Sequence, residues 1–402
     1  MAVLARPAGA DRLADAGRPH IVASPPGTGG VASLAPGRVL MKGTEAIAEA
    51  AIAAGCDAYF GYPITPQAEL LEWMARRMPE EGRVFVQAES ELAAINMGLG
   101  AAAAGARVLV SSSSPGISLM AEAMSYMAGS QLPCVLVNVM RGGPGLGSIG
   151  AAQGDYLQAT KGHGHGDYHV PVLAPSSIAE AIELVGDAFV LAERYRTPVM
   201  ILADGILGQA MEPVRPEFPT LARQVPDWNI EGAEGREPRS IRSLNLRAED
   251  LELHNLDLQA VYAEITAREP RWAGEHLDGA EVVLVAYGTA ARVARTAIER
   301  ALEQGLKAGL FRPITLWPFP AVALREAVGR ARAVLVVELS AGQLVEDVRL
   351  ALDGTVPVHL HGRMGGMVPS PDDVVAAARR AWSGGEPIWS LGPVGKAEGD
   401  ER

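Results

Sequence analysis

From Thr44 onward the apolar positions follow two alternating rhythms, a helical spacing in longer windows and short unbroken runs between them. The helical windows run from Thr44 to Ala54, Pro66 to Met78, Glu91 to Ala104, Ile117 to Ala128 and Ser177 to Arg194. The runs are Ala58 to Phe60, Arg83 to Gln87, Arg107 to Ser111, Cys134 to Met140 and Pro198 to Ala203. Strands that are apolar on both faces and flanked by helices belong in a buried parallel sheet, so a doubly wound α/β domain is expected over residues 41–215. Alternation stops at Pro213, Pro216, Pro219 and Pro226, and a charged helical stretch follows from Glu249 to Glu264; residues 216–280 read as a connector with one helix. It then resumes. Strands are expected at Val282 to Ala286, Ala308 to Pro313, Ala333 to Glu338 and Val356 to His361, with helices between and after them as far as Trp382, which makes residues 281–382 a second doubly wound domain. Residues 1–40, scattered with Ala, Gly and Pro, are expected to be a disordered extension, and residues 383–402 a flexible tail.

Composition narrows the class. The chain has 402 residues, 48% of them hydrophobic and 20% charged, which suits two or three globular domains rather than a disordered chain. Its net charge of −12, without a basic stretch, argues against nucleic acid or an anionic membrane as partner. No stretch reaches the roughly 18 apolar residues of a spanning helix. Cys56 and Cys134 are too few for an all-cysteine iron-sulfur cluster or a zinc site, and their scarcity fits a reducing cytoplasm.

Several strings at strand ends could hold chemistry. Gly145 to Gly150 is a literal G-x-G-x-x-G, but it begins five residues after its strand and is followed by Gln153-Gly154-Asp155 instead of a helix opening, so a nicotinamide site is disfavoured. After the first strand, Thr65 is placed to cap a helix starting at Pro66, and its hydroxyl also stands where α/β sheets bind ligands. Glu89 and Glu91 open a helix of small residues, Ala93, Ala94, Gly98 and Gly100; the helix dipole explains an acid there, and the close packing implies that one acid faces inward. Arg141 follows the most apolar strand and suits bidentate binding of a small carboxylate. His163, His165 and His169 with Asp155 and Asp167 have a metal-like composition, but their spacing defines no four-ligand set.

Together the strings resemble the alpha subunit of the 2-oxoacid:ferredoxin oxidoreductases. They are Gly61 to Pro66 (GYPITP), Glu89 to Ala94 (ESELAA), Ser113 to Leu119 (SSPGISL), Arg141 to Gly147 (RGGPGLG), His165 to Tyr168 (HGDY), Ala174 to Ser177 (APSS) and Leu310 to Pro320. Ile241 to Leu244 and His254 to Leu256 look most like the branched-chain, 3-methyl-2-oxobutanoate type, with the 2-oxoglutarate type as the alternative.

The resemblance implies a thiamine diphosphate pyrimidine-binding domain followed by a transketolase-C-like domain. It implies that Glu91 bonds N1′ of the aminopyrimidine, that Thr65 and Arg141 meet the substrate carboxylate, and that Pro63, Ile64, Ser114, Pro115 and Gly116 touch the cofactor. A Gly-Asp-Gly motif for pyrophosphate and magnesium is absent: Gly154-Asp155, Gly166-Asp167 and Gly186-Asp187 lack the third glycine. A beta subunit is therefore expected to supply the pyrophosphate and Mg2+ site. Gamma and delta (ferredoxin-like) subunits would hold the iron-sulfur clusters, with ferredoxin as acceptor and coenzyme A as cosubstrate. A nicotinamide dehydrogenase and a noncatalytic scaffold are the competing readings.

Overall fold

The computed structural model describes residues 37–384, apart from His163 and Gln224, and residues 389–392. The expected extension therefore lies almost wholly outside the described residues, as do residues 385–388 and 393–402 of the expected tail.

In the first half of the chain, β1 (Val39–Lys42) leads into α1 (Gly43–Ala53), followed by β2 (Ala58–Gly61), α2 (Ala68–Glu80), β3 (Val84–Gln87) and α3 (Glu91–Ala103). Next come β4 (Val108–Ser112), α4 (Ser114–Gly129), β5 (Cys134–Met140), α5 (Tyr156–Thr160), β6 (Val172–Leu173), α6 (Ile178–Tyr195), β7 (Pro198–Asp204), α7 (Gly205–Gln209) and β8 (Met211–Val214). The connector holds α8 (Ala248–Arg268) and β9 (Trp272–Glu275). The second half continues with β10 (Val282–Val285), α9 (Gly288–Glu303), β11 (Ala308–Pro313), β12 (Thr315–Trp317), α10 (Ala321–Val328) and β13 (Ala333–Glu338). It ends with α11 (Leu344–Leu352), β14 (Val358–Gly362), α12 (Pro371–Ser383) and β15 (Trp389–Leu391).

The apolar runs form the sheet centres for the reason their composition suggests. All seven residues of β5 and all seven of β7 are buried, and each such Val, Leu or Ile contributes about 1.5–3 kcal/mol by leaving water. Helices start where a hydroxyl is available: Ser90 accepts from Ala93 N at 3.1 Å and Ser177 from Glu180 N at 3.2 Å. The first sheet runs β12-β6-β7-β5-β4-β2-β3 and the second β15-β14-β13-β10-β11-β9, while β1 and β8 pair antiparallel beside them. Strands β2 to β7 are parallel, as are β10, β11, β13, β14 and β15. Among the described residues no helix is long and apolar enough to cross a membrane.

Three expectations change. The connector is more than one helix, because β9 joins the second sheet antiparallel to β11. The two domains are not separable at residue 281, because β12 leaves the second half and pairs antiparallel with β6 in the first sheet. Part of the expected tail is ordered: β15 extends the second sheet beside β14.

The domains share a polar seam. Gln153 Nε2 donates to Tyr287 O at 2.8 Å, and its Oε1 accepts from Leu339 N at 2.9 Å. Asp204 accepts from Thr289 N at 2.8 Å and Thr289 Oγ1 at 2.6 Å, and Tyr156 OH donates to buried Asp347 at 2.6 Å. Arg312 closes a two-pronged pair on Glu180. Gln153, Asp204, Thr289, Tyr156 and Asp347 are buried and hydrogen-bonded across the seam, so the halves pack as one body.

Candidate active site

Strand β2 lies between β3 and β4, so the chain leaves β2 to one side and returns on the other. The crevice beyond the carboxyl ends of β2 and β4 is a topological switch point, the usual ligand position in an open parallel sheet. Four short segments converge there: the loop after β2, the start of α3, the start of α4 and the residue after β5.

At the start of α3 the two acids separate. Glu89 is exposed, whereas Glu91 is 6% exposed at the positive end of the helix. Among the described residues Glu91 accepts one side-chain hydrogen bond, a long one of 3.5 Å from Ser112 Oγ. It packs on Gly116 in the first turn of α4. A β-carbon at Gly116 would overlap Ser112 Oγ and come within 2.6 Å of Glu91 Oε1, so the absence of a side chain is what admits the carboxylate. A buried carboxylate with so few donors has acceptor capacity to spare for a ligand N–H.

The loop Tyr62 to Gln67 is held from beneath. Gln67 donates to Tyr62 O at 3.2 Å and accepts from Ser111 Oγ at 2.8 Å, which in turn meets Tyr59 OH at 2.7 Å. Gln209 donates to Pro66 O at 2.8 Å. Thr65 does not cap a helix: α2 begins at Ala68 with Gln67 before it, because Pro66 is spent in the turn. Thr65 is exposed instead, as are Tyr62 and Pro63, with Ile64 partly covered.

Arg141 follows β5 and reaches across the end of β4 to the β2 loop. Its Nη1 donates to Thr65 O at 2.9 Å and its Nη2 to Leu146 O at 3.3 Å, while the buried Nε has no partner among the described residues. Its main-chain N donates to Ser114 Oγ at 3.0 Å. Thr65, Arg141 and Ser114 are thus brought together, and Ser114 is two residues from the glycine on which Glu91 rests. Pro115 is partly covered and Gly116 buried.

The Gly-rich loop closes on itself. Arg141 bridges Ala151, Gly142 N donates to Gly150 O at 2.9 Å, and Ser148 N donates to Gly142 O at 2.8 Å. Gly147 sits at φ +56°, where a side chain would strike Gly142 O. No helix follows until Tyr156, so the geometry is not that of a dinucleotide-binding turn. The histidines disperse: His165 O accepts from Ser125 Oγ, His169 stacks on Trp317 at 4.6 Å, and His163 lies outside the described residues. Among the described residues no three His, Cys, Asp or Glu side chains converge as a metal site.

Residue reasoning missed Ser112, Asn138 and Asp155. Asn138 had a visible signal, since it is the one polar residue inside the run Cys134 to Met140. Asp155 was noticed only within motifs that it does not complete. The strings Ile241 to Leu244 and His254 to Leu256 lie away from the site: His254 meets Gly129 O at 2.7 Å, and Ser243 packs against Gly129 at the far end of α4.

A family model described as "Pyruvate flavodoxin/ferredoxin oxidoreductase, thiamine diP-bdg" matches residues 49–246, and "Pyruvate:ferredoxin oxidoreductase core domain II" matches residues 280–374. The chain is 49% identical over 341 residues to a ketoisovalerate oxidoreductase subunit of Methanothermobacter thermautotrophicus, covering 85% of this chain and 97% of that one. It is 38% identical over 315 residues to a 2-oxoglutarate synthase subunit of Archaeoglobus fulgidus, covering 77% and 90%. Among solved structures, the 2-oxoglutarate:ferredoxin oxidoreductase from Magnetococcus marinus superposes with TM-score 0.78 at 27% identity, covering 86% of this chain and 65% of that chain. A split-gene transketolase shares the fold, with TM-score 0.55 at 16% identity.

Proposed function

The chain belongs to the 2-oxoacid:ferredoxin oxidoreductase family, and we propose from that premise that it serves the branched-chain type, in which 3-methyl-2-oxobutanoate and coenzyme A give acyl-CoA, CO2 and reduced ferredoxin. One observation supports the 2-oxoacid chemistry above the others: an under-satisfied buried carboxylate, Glu91, and a guanidinium, Arg141, lie at the same switch point, while the ketoisovalerate relative favours the branched-chain type.

The residues fit thiamine diphosphate at its pyrimidine end. Glu91 offers a buried acceptor for N1′, the missing β-carbon at Gly116 admits its carboxylate, and Pro63, Ile64, Ser114 and Pro115 border the same crevice. When bound, the cofactor supplies an electron sink for decarboxylation. Glu91 holds the pyrimidine through N1′ and biases its protonation. Arg141 binds the carboxylate of the 2-oxoacid with Thr65 beside it; its unpartnered Nε and forked Nη groups suit a planar anion.

A 2-oxoglutarate substrate is the second reading, supported by the 2-oxoglutarate synthase relatives. Its distal carboxylate would need another cation, and the loops 62–68, 88–94, 113–120 and 142–155 contain no Lys or Arg. The branched apolar side chain makes no such demand.

As a subunit of a multi-subunit complex, the chain would pair with a beta subunit holding the pyrophosphate and Mg2+. Gamma and delta subunits would hold the iron-sulfur clusters and pass electrons to ferredoxin. Both cysteines are free and buried, which fits a reducing, cytoplasmic setting.

The test is a substrate panel on the purified complex, read by ferredoxin reduction. The expected ranking puts 3-methyl-2-oxobutanoate and its branched relatives first. A higher kcat/KM for 2-oxoglutarate would transfer the assignment to the second reading.

A further inference from the structure

Asp155, between the Gly-rich loop and α5, is an acid near the crevice without a role so far. Its Oδ2 accepts from Ser114 Oγ at 2.5 Å and from Asn138 Nδ2 at 2.9 Å. No neighbouring charge offsets its burial, which raises its carboxyl above the ordinary value while these two hydrogen bonds lower it.

The chemistry of the three groups fixes their orientation. An ionised carboxylate can only accept. The single hydroxyl proton of Ser114 therefore points at Asp155, leaving an Oγ lone pair for Arg141 N–H at 3.0 Å. The amide of Asn138 must likewise present its Nδ2, which turns its Oδ1 to Ser114 N at 3.1 Å. That N–H belongs to the first turn of α4 and has no intrahelical acceptor. One acceptor-only group thus sets the sense of two rotatable ones, and both act on the segments that bear Arg141 and Gly116.

We propose that Asp155 is a positioning residue, which locks Ser114 and Asn138 in the orientation that holds Arg141 and the start of α4 ready for a 2-oxoacid carboxylate. The proposal rests on the reading of Thr65 and Arg141 as the carboxylate site. A neutral group that can donate would let the relay reverse. A group that only packs would let it float.

The test uses the reconstituted complex. With Asp155→Ala, KM for 3-methyl-2-oxobutanoate is expected to rise at least about tenfold while kcat stays within about threefold, the pattern of lost ground-state and transition-state binding alike. The dissociation constant of the acid, measured by calorimetry without coenzyme A or acceptor, is expected to move with KM. Asp155→Asn brings an amide N–H that lets the relay reverse, and its KM is expected to rise at least about threefold. Adding Ser114→Ala to Asp155→Ala should change KM less than about twofold further, because both cut one relay. An unchanged KM in Asp155→Ala, or a parental KM in Asp155→Asn, overturns the proposal. If Asp155→Ala does not assemble, Ser114→Ala alone decides, and an unchanged KM there overturns it equally. Arg141→Lys separates the two levels: a parental KM in that variant sinks the carboxylate-site reading itself, whatever Asp155 does.

Discussion

Among the described residues each of the two large sheets has a switch point, and the two differ in how fully their polar groups are paired. In the first sheet the crevice between β2 and β4 is bordered by Glu91, Thr65 and Arg141, groups with hydrogen-bonding capacity to spare. In the second sheet the matching crevice lies between β10 and β13. There Tyr287 O and Leu339 N are taken by Gln153, Thr289 by Asp204, and Glu338 accepts from Gln343 N and Leu344 N at the start of α11. The first domain has filled the second domain's crevice. Topology makes both positions suitable for a ligand, and hydrogen-bond satisfaction decides which one is a site.

If that contrast is right, damage at the open edge reads out in kinetics and damage at the filled edge in stability. The largest effect is expected for Glu91→Gln, which keeps shape and loses charge: about 10² to 10⁴ in rate, the usual range for lost acid-base help. Hydrogen-deuterium exchange at C2 of bound thiamine diphosphate measures it, with exposed Glu89→Gln changing little. A fast Glu91→Gln beside a slow Glu89→Gln would reverse the choice of acid. Arg141→Lys comes next. It loses the forked contacts to Thr65 O and Leu146 O, and a charge-assisted hydrogen bond is worth about 1.5–3 kcal/mol, so KM for the 2-oxoacid should rise roughly 10- to 100-fold. At the filled edge, Thr289→Val removes a buried hydroxyl from Asp204 and should cost about 1–2 kcal/mol, a few degrees in thermal midpoint, with kcat and KM unchanged. A kinetic defect there would show that the filled crevice takes part in turnover.

An effect absent at neutral pH concerns acid stability. His361 in β14 is buried, and neither ring nitrogen has a hydrogen-bond partner among the described residues. Burial lowers it to about 4, opposed by Asp373 and assisted by Arg380 and Arg363. The unfolded chain takes up this proton below about 6.5 and the folded one only near 4, so the unfolded state binds more protons across that window. Stability is therefore lost as pH falls from about 6.5 to about 4. His361→Leu should flatten the acid limb in a series of thermal melts; an equally steep limb would place the proton uptake elsewhere.

Much of the fold was legible because buried parallel strands must be apolar on both faces. Cys134 to Met140 names its own position in the sheet, and the helices around it announce themselves by spacing and by Ser90 or Ser177. The short edge strands were not legible. β6 has two residues and β12 three, and what makes them strands is pairing with each other and, for β6, with β7, at sequence distances no local pattern spans. The pair Glu89 and Glu91, with Arg141, stood out because charge beside small residues at a strand's end is costly without a purpose, and the resemblance chose Glu91 of the two. Asp155 did not. Its meaning comes from Ser114 and Asn138, which arrive from the start of α4 and from β5.

The crossing of β12 into the first sheet also sets a schedule for synthesis. β7 is complete once the chain has passed Asp204, yet β6 gains its outer neighbour only when Thr315–Trp317 has emerged. At about 5–20 residues per second, the intervening stretch of about 110 residues delays that pairing by roughly 5–20 s. During this interval the nascent first sheet presents an uncovered apolar edge, and a truncated chain ending near residue 280 would present it permanently.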